Sequence, residues 1–351
     1  MNKNKKEKRL KIVIELIGGT GNQLFQLAAC FMLAKIHNRD PYYTNRLLDG
    51  NRKNETTGIS KELNIKCINS KQIIDWPLLS EEELVHPAYF SFYPETNYLP
   101  AKDIVLTGYF QNFKIHDHNL RRILKKYAKE SFNKVHRLNE NFISIHTREL
   151  QASRNDLPLV GKDTLSLKYY QRSLEIIEKK LEKSENKIST IYLFNDMFNK
   201  DKNKSKILNL LLDFIKKKNY KVILGDELCS TAWETIAIMS QGKYIITSTS
   251  TFSWWAGYLS EGTVICPIFS LWDVLLITPE NWIQINDGNL SPKTWHNLNI
   301  YKSKKVKLYK RKFNNRFIRK IKHIFYYYIF ERTFLNIFTK YSNLKIRNIK
   351  N

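Results

Sequence analysis

The stretch KIVIELIGGTGNQLFQLAACFMLAK, Lys11 to Lys35, decides how the chain is read. An apolar run of strand character meets three glycines within four positions. A polar pair, Asn22 and Gln23, then opens a new run whose apolar residues, Leu24, Leu27, Ala28, Phe31 and Leu33, recur at helical spacing. The turn is not one of the common phosphate loops. A dinucleotide fingerprint begun at Gly19 and Gly21 needs a third glycine where Leu24 stands, and a Walker loop needs Lys followed by Ser or Thr. The glycines therefore read as a sharp strand-to-helix turn, glycine being the residue that tolerates positive φ. Asn22 and Gln23 can each donate and accept hydrogen bonds if they face a cleft.

The alternation continues along the chain. DIVLTGYF, NFISIHT, TIYLFND, YKVILGD, KYIITSTS and TVICP read as strands, with helical patterns such as SLKYYQRSLEIIEKKLEK between them. Short apolar strands alternating with helices predict an α/β protein with parallel sheets. Residues from about 40 to 100 are less regular and read as an insertion or a loop-rich lobe. Ligands of open parallel sheets bind at the carboxyl ends of strands, which directs attention to Gly18–Gln23, His146–Arg148, Asn195-Asp196, Asp226 and Ser248–Ser253.

Composition narrows the classes. The 351 residues are 42% hydrophobic, enough for two domains with cores of their own. Four scattered cysteines with no CxxC pair argue against a zinc site or a disulfide framework and fit a reducing compartment. The apolar run Ile12–Ile17, broken by Glu15, is too short for a signal peptide or a bilayer span, so the expected location is the cytoplasm.

The net charge of +25 is concentrated at the end: from Tyr301 to Asn351, 16 Lys or Arg face one acidic residue, Glu331. There Phe313, Phe317, Ile321, Phe325 and Tyr328 recur every three or four residues, with Arg316, Arg319, Lys320 and His323 largely between them. The pattern predicts a basic amphipathic helix for an anionic membrane surface. Nucleic acid is the rival partner, although no specific nucleic-acid motif occurs elsewhere. Vesicle binding that survives high salt and is lost when Phe317 and Phe325 become Ser would decide for the membrane.

Two segments could carry chemistry. In FISIHTRELQASRND a strand runs into His146, Arg148, Arg154 and Asp156, and an Arg at a strand end suits bidentate contact with phosphate oxygens. In YIITSTSTFSWWAGYL hydroxyls of Ser248 to Thr251 precede a helix, whose N-terminus is a ready anion site.

Taken in order, these segments resemble the family 11 glycosyltransferases, the α-1,2-fucosyltransferases. GGTGNQLFQLA is similar to that family's GG-x-GNQ-(M/L)-FQ-(Y/L)-A, LTGYFQNF to its GYWQS-type segment and ISIHTR to the start of HVRRGD. YLFND resembles FSDD, and IITSTSTFSWWAGYL resembles IANSTFSWWAAWL. The resemblance spans roughly residues 10 to 270. It implies a GT-B fold: an N-terminal Rossmann-like domain over residues 1–140 on the acceptor side, a nucleotide-sugar domain over 141–300, and the basic tail over 301–351. It also implies inverting transfer of L-fucose from GDP-fucose to a terminal galactoside of a bacterial surface glycan of the lipopolysaccharide O-antigen type. No metal and no cofactor are expected. The partners would be a GDP-sugar, an oligosaccharide or lipid-linked acceptor and the inner membrane face.

Carried onto this sequence, the resemblance makes Arg148 the ligand of the β-phosphate, with His146 beside it. Gly21, Asn22 and Gln23 would lie at the donor, Ser250, Thr251 and Ser253 would hold phosphate, and Asp196 would meet the guanosine. The chain departs from the family where Glu149 replaces a second Arg. An insertion, ELQAS, would realign Arg154 and Asp156 with the displaced Arg and Asp. Asp156 is the first candidate for a general base and Glu149 the second. These departures leave open a different GDP-sugar or linkage, or a catalytically weak carbohydrate-binding relative.

Overall fold

The computed structural model describes residues 9–48, 50–80, 85–86, 91–92, 99–111, 113–135, 141–148, 165–184, 187–195, 206–268, 278–285 and 287. All of them fall within one compact unit, Met1–Pro292. The basic tail lies outside the described residues.

The unit is built on two parallel sheets. In the first, β1 (Lys11–Glu15), β2 (Asp40–Thr44), β3 (Lys66–Cys67), β4 (Leu78–Ser80) and β7 (Ile104–Thr107) lie in the order β3-β2-β1-β7-β4. Every pair is parallel. The short strands β5 (Val85–His86) and β6 (Ser91–Phe92) form a separate antiparallel pair. The second sheet takes β8 (Ile143–Thr147), β9 (Thr190–Asn195), β10 (Lys221–Leu224), β11 (Tyr244–Ile246), β12 (Thr263–Pro267) and β13 (Ile283–Ile285). Their order is β10-β9-β8-β11-β12-β13, again parallel throughout.

The predicted strands are all present. The region from 40 onward is not an inserted lobe: β2, β3 and β4 complete the first sheet on both sides. The polar, Tyr- and Lys-containing sequences of β2 and β3 and the three-residue length of β4 hide the fact, because short strands toward a sheet's edges need not be apolar on both faces. Central β1, β8 and β9 are covered on both faces, so their residues from Ile12, Ile143 and Thr190 onward are buried without interruption. Glu15 ends β1 as a buried carboxylate and is paired with Arg46.

The first helix, Thr20–Ile36, is buried on nearly every side, because it packs against the first sheet and against the Thr251–Leu259 helix of the second half. Small residues, Ala28, Ala29 and Cys30, allow that close covering. The Cys30 thiol is pushed up to about 12 by burial and is chemically inert. The second sheet's core joins Ile143, Ile145, Ile191 and Leu193 to Tyr169, Leu174, Leu211 and Ile215 from its covering helices. The Tyr169 hydroxyl donates to the Thr247 carbonyl at 2.8 Å, so the buried phenol is satisfied.

Each sheet has one switch point. All strands stay parallel, but the side on which successive strands are added changes between β1 and β7 in the first sheet and between β8 and β11 in the second. Crevices for ligands open at such points.

Candidate functional site

Two helix starts meet where the two halves come together, and the turn Gly18–Asn22 is one of them. Gly18 has φ +77, in the left-handed region, and releases the chain from β1 into the helix. Gly21 answers to a different demand. A Cβ there would lie 2.5 Å from Phe252 N and 2.6 Å from Thr251 C, backbone atoms of the second helix start. The Trp255 indole donates to the Gly21 carbonyl at 2.9 Å. Asn22 Oδ1 accepts from Thr251 Oγ1 at 2.9 Å and from Gln111 Nε2 at 3.0 Å. Behind this seam Phe25 packs on Trp254 and Trp255 with ring centroids 4.7 and 4.9 Å away.

A cleft of about 460 Å³ opens beside the seam. The first half lines it with Gly19, Thr20, Gly21, Asn22, Arg52 and Glu55; the second half adds His146, Arg148, Asn195, Ser250, Thr251 and Phe252. A third edge, Cys229–Ala232 with Thr235, is the start of the Ala232–Ser240 helix. Three helix N-termini, at Thr20, Ala232 and Thr251, thus border one cavity. Their partial positive charges add to the guanidinium of Arg148 and favour an anion there.

Arg148 leaves the end of β8 and donates to the Thr249 carbonyl at 3.4 Å, which ties it to the loop after β11. His146, one turn of the pleat earlier, crosses the same switch point: its Nδ1 lies 2.8 Å from Ser248 Oγ. Burial, and secondarily Arg148, push His146 down to about 3, so its ring is neutral at physiological pH. With Nδ1 spent on Ser248, Nε2 is the nitrogen left for the cleft. Asn195 donates to Thr147 Oγ1 at 2.5 Å and closes the floor between β8 and β9.

Gly21, Asn22, His146, Arg148, Ser250 and Thr251 are therefore gathered at one cavity. Two residues expected at the donor stand behind its wall instead. Gln23 is fully buried; its amide donates to the Gly18 carbonyl at 3.1 Å and its Oε1 accepts from Thr56 Oγ1 at 3.0 Å. Ser253 is equally buried and accepts from Ser248 N at 3.1 Å. Both satisfy backbone that the turns leave unpaired. Thr251 spends its hydroxyl on Asn22, and Ser250 Oγ accepts from Phe252 N at 3.2 Å as an N-cap. Arg154, Asp156, Glu149 and Asp196 lie outside the described residues. Arg52, Glu55, Thr20 and the Ala232 helix start were not expected. The last had a legible signal, Thr231 followed three residues later by Glu234, which forms a capping box. Among the described residues no three His, Cys, Asp or Glu side chains cluster as metal ligands would.

Two parallel sheets with an anion-attracting cleft at their switch points define an α/β protein with a candidate ligand site between its two halves. The glycosyl transferase family 11 profile matches residues 1–274, and the chain belongs to that family. It is similar to the O-antigen biosynthesis glycosyltransferase WbnK of Escherichia coli, 24% identical over 322 residues that cover 81% of this chain and 99% of the relative. Among solved structures it is similar to the fucosyltransferase NodZ from Bradyrhizobium, with a TM-score of 0.45, 11% identity and coverage of 72% of this chain and 94% of that one. POFUT1 in complex with GDP-fucose matches with a TM-score of 0.38 and 12% identity, covering 74% of this chain and 96% of that one.

Proposed function

We propose that this glycosyltransferase is an inverting α-1,2-fucosyltransferase of GT-B type. It moves L-fucose from GDP-fucose to a terminal galactoside of a bacterial surface glycan. The observation that carries the reading is the convergence of Arg148 and three helix N-termini on one cleft between two parallel sheets. A nucleoside-diphosphate leaving group gains negative charge as the glycosidic bond breaks. Fixed positive dipoles and a guanidinium aimed at that charge lower the barrier without reorganising. Family 11 membership supports the fucosyl donor, and the O-antigen role of the Escherichia coli relative supports a lipopolysaccharide-type acceptor. In this proposal Arg148 and the helix ends neutralise the diphosphate. The basic tail would hold the enzyme at the inner membrane face, where lipid-linked acceptors are built. Among the described residues no helix is long and apolar enough to cross a membrane.

The test is to incubate the purified chain with GDP-fucose, GDP-mannose or a UDP-sugar and a β-galactoside, and to weigh the product. A fucoside from GDP-fucose alone is expected, and Arg148→Ala should reduce its rate by about 10²–10³-fold. Transfer from another donor only would overturn the fucosyl assignment. It would agree with the replacement of the family's second Arg by Glu149.

A further inference from the structure

Glu55 brings a carboxylate to this cleft. It sits between the short turn Gly50–Asn54 and the helix Thr57–Glu62, on the wall of the cleft that comes from the first half. Thr20, the first residue of the first helix, donates its hydroxyl to Glu55 Oε2 at 2.6 Å. No hydrogen bond or ion pair reaches Oε1 among the described residues, and the side chain is partly buried. One carboxylate oxygen is thus anchored, and the residue lines the cavity with its other oxygen unbonded among the described residues. Among the described residues that line the cleft, Glu55 is the one carboxylate.

Arg52 and the helix start at Thr20 line the cleft from the same half as Glu55. Arg148, neutral His146 and the start of the Thr251–Leu259 helix all come from the second half. Displacement with inversion requires the incoming oxygen on the face of the sugar opposite the leaving oxygen. A diphosphate held by Arg148 and the Thr251–Leu259 helix start, both from the second half, would turn the far face of its sugar toward the first half, where Glu55 is the one carboxylate among the described lining residues. We infer that Glu55 is the general base of the transfer, an inference that rests on the glycosyltransferase reading above. Its carboxylate takes the acceptor proton while the acceptor oxygen bonds to the anomeric carbon. The bond from that carbon to the β-phosphate oxygen breaks, and the nucleoside diphosphate departs with the electron pair. The carboxylic acid then returns its proton to solvent. His146 also lines the cleft, but burial keeps its imidazole from holding a proton near neutrality.

Glu55→Gln tests this with little disturbance, because the amide oxygen can still accept from Thr20. Full-length wild type and variant are compared for GDP affinity by calorimetry, for melting temperature and for transfer from GDP-fucose to a β-galactoside. The expected result is unchanged GDP affinity and melting temperature, with kcat lower by about a hundredfold or more and the donor KM little changed. Thr20→Val removes the same anchor while keeping the carboxylate and should cost far less kcat; an equal loss would make Glu55 a positioning residue and overturn the inference. Azide needs no deprotonation, so Glu55→Ala supplied with sodium azide and GDP-fucose should release GDP and form the α-glycosyl azide. A Glu55→Gln variant with wild-type kcat, in an enzyme that binds GDP and transfers fucose, overturns the base alone. Wild type that binds no GDP overturns the transferase reading and the base together.

Discussion

Replacing Gly21 by Ala tests the claim that close approach of two helix starts shapes the cleft. The added Cβ would stand 2.5 Å from Phe252 N, 2.6 Å from Thr251 C and 2.7 Å from Thr251 Oγ1. Ordinary contacts at a Cβ begin at 3.4 Å, and two of these three atoms are backbone, so the helix starts must part by about 0.9 Å. The Thr251–Asn22 bond, 2.9 Å at present, then lengthens to about 3.8 Å and ceases to be a hydrogen bond. The Trp255–Gly21 bond is strained by the same movement. Overpacking costs about 1–3 kcal/mol and the two hydrogen bonds about 1 kcal/mol each, against a gain of about 1 kcal/mol in helix propensity. The net loss is about 2–4 kcal/mol, which in a unit of this size lowers the melting temperature by about 3–7 °C. On the proposed reading GDP affinity should fall as well, because residues of both helix starts line the cleft. Scanning calorimetry and a GDP titration on the same preparation read both effects. A variant that melts within about 1 °C of wild type and binds GDP equally well would refute the reasoning.

Two further predictions concern the support of this seam. His116 stacks on Trp255 at 5.3 Å, lies against Phe25 and Tyr258, and has neither ring nitrogen hydrogen-bonded among the described residues. Burial pushes it down from 6.5 to about 3 despite nearby Asp117, as burial and Arg148 do for His146. The unfolded chain therefore takes up protons below about pH 6.5 that the folded chain refuses. Stability is held above that pH and falls by up to about 1.4 kcal/mol per unit for each histidine as pH drops toward 3. Urea denaturation between pH 5 and 6 should show His116→Phe with a shallower pH slope than wild type; equal slopes would contradict the burial argument. Gln26, fully buried, accepts from Ile17 N at 3.0 Å and donates to the Gly108 carbonyl at 2.7 Å. Gln26→Leu orphans both backbone groups and should cost about 2–4 kcal/mol in the same assay.

Much of the frame was open to reading in the linear chain. A central parallel strand is covered on both faces, so IVI, ISIH and TIYLFN are continuous apolar or small runs whose meaning needs no partner. The helix starts after Gly19 and at Thr251 were legible for a similar reason, since glycines and hydroxyl residues act on the backbone beside them. His146, Arg148 and Ser250 followed, because strand ends in a parallel sheet are where ligands bind. The outer strands of the first sheet were not legible, since a strand of two to five residues toward an edge carries no period of its own.

The sequence by itself thus determined the parallel α/β class and the points along the chain where a site could form. Only the tertiary structure decided what each polar residue there does. Asn22 meets Thr251 across 229 positions and Trp255 reaches Gly21 across 234, so a motif that reads as ligand-binding is also the joint that sets the cleft's width. Gln23 and Ser253 have the chemistry of ligands but are spent on neighbouring groups within the protein. Glu55, in a segment with no periodicity, is brought to the cavity by the return of the chain between β2 and β3 and is held there by Thr20. A side chain's type limits the bonds it can make; which of them it makes depends on what the folded chain places within about 3 Å, and distant partners leave no local trace.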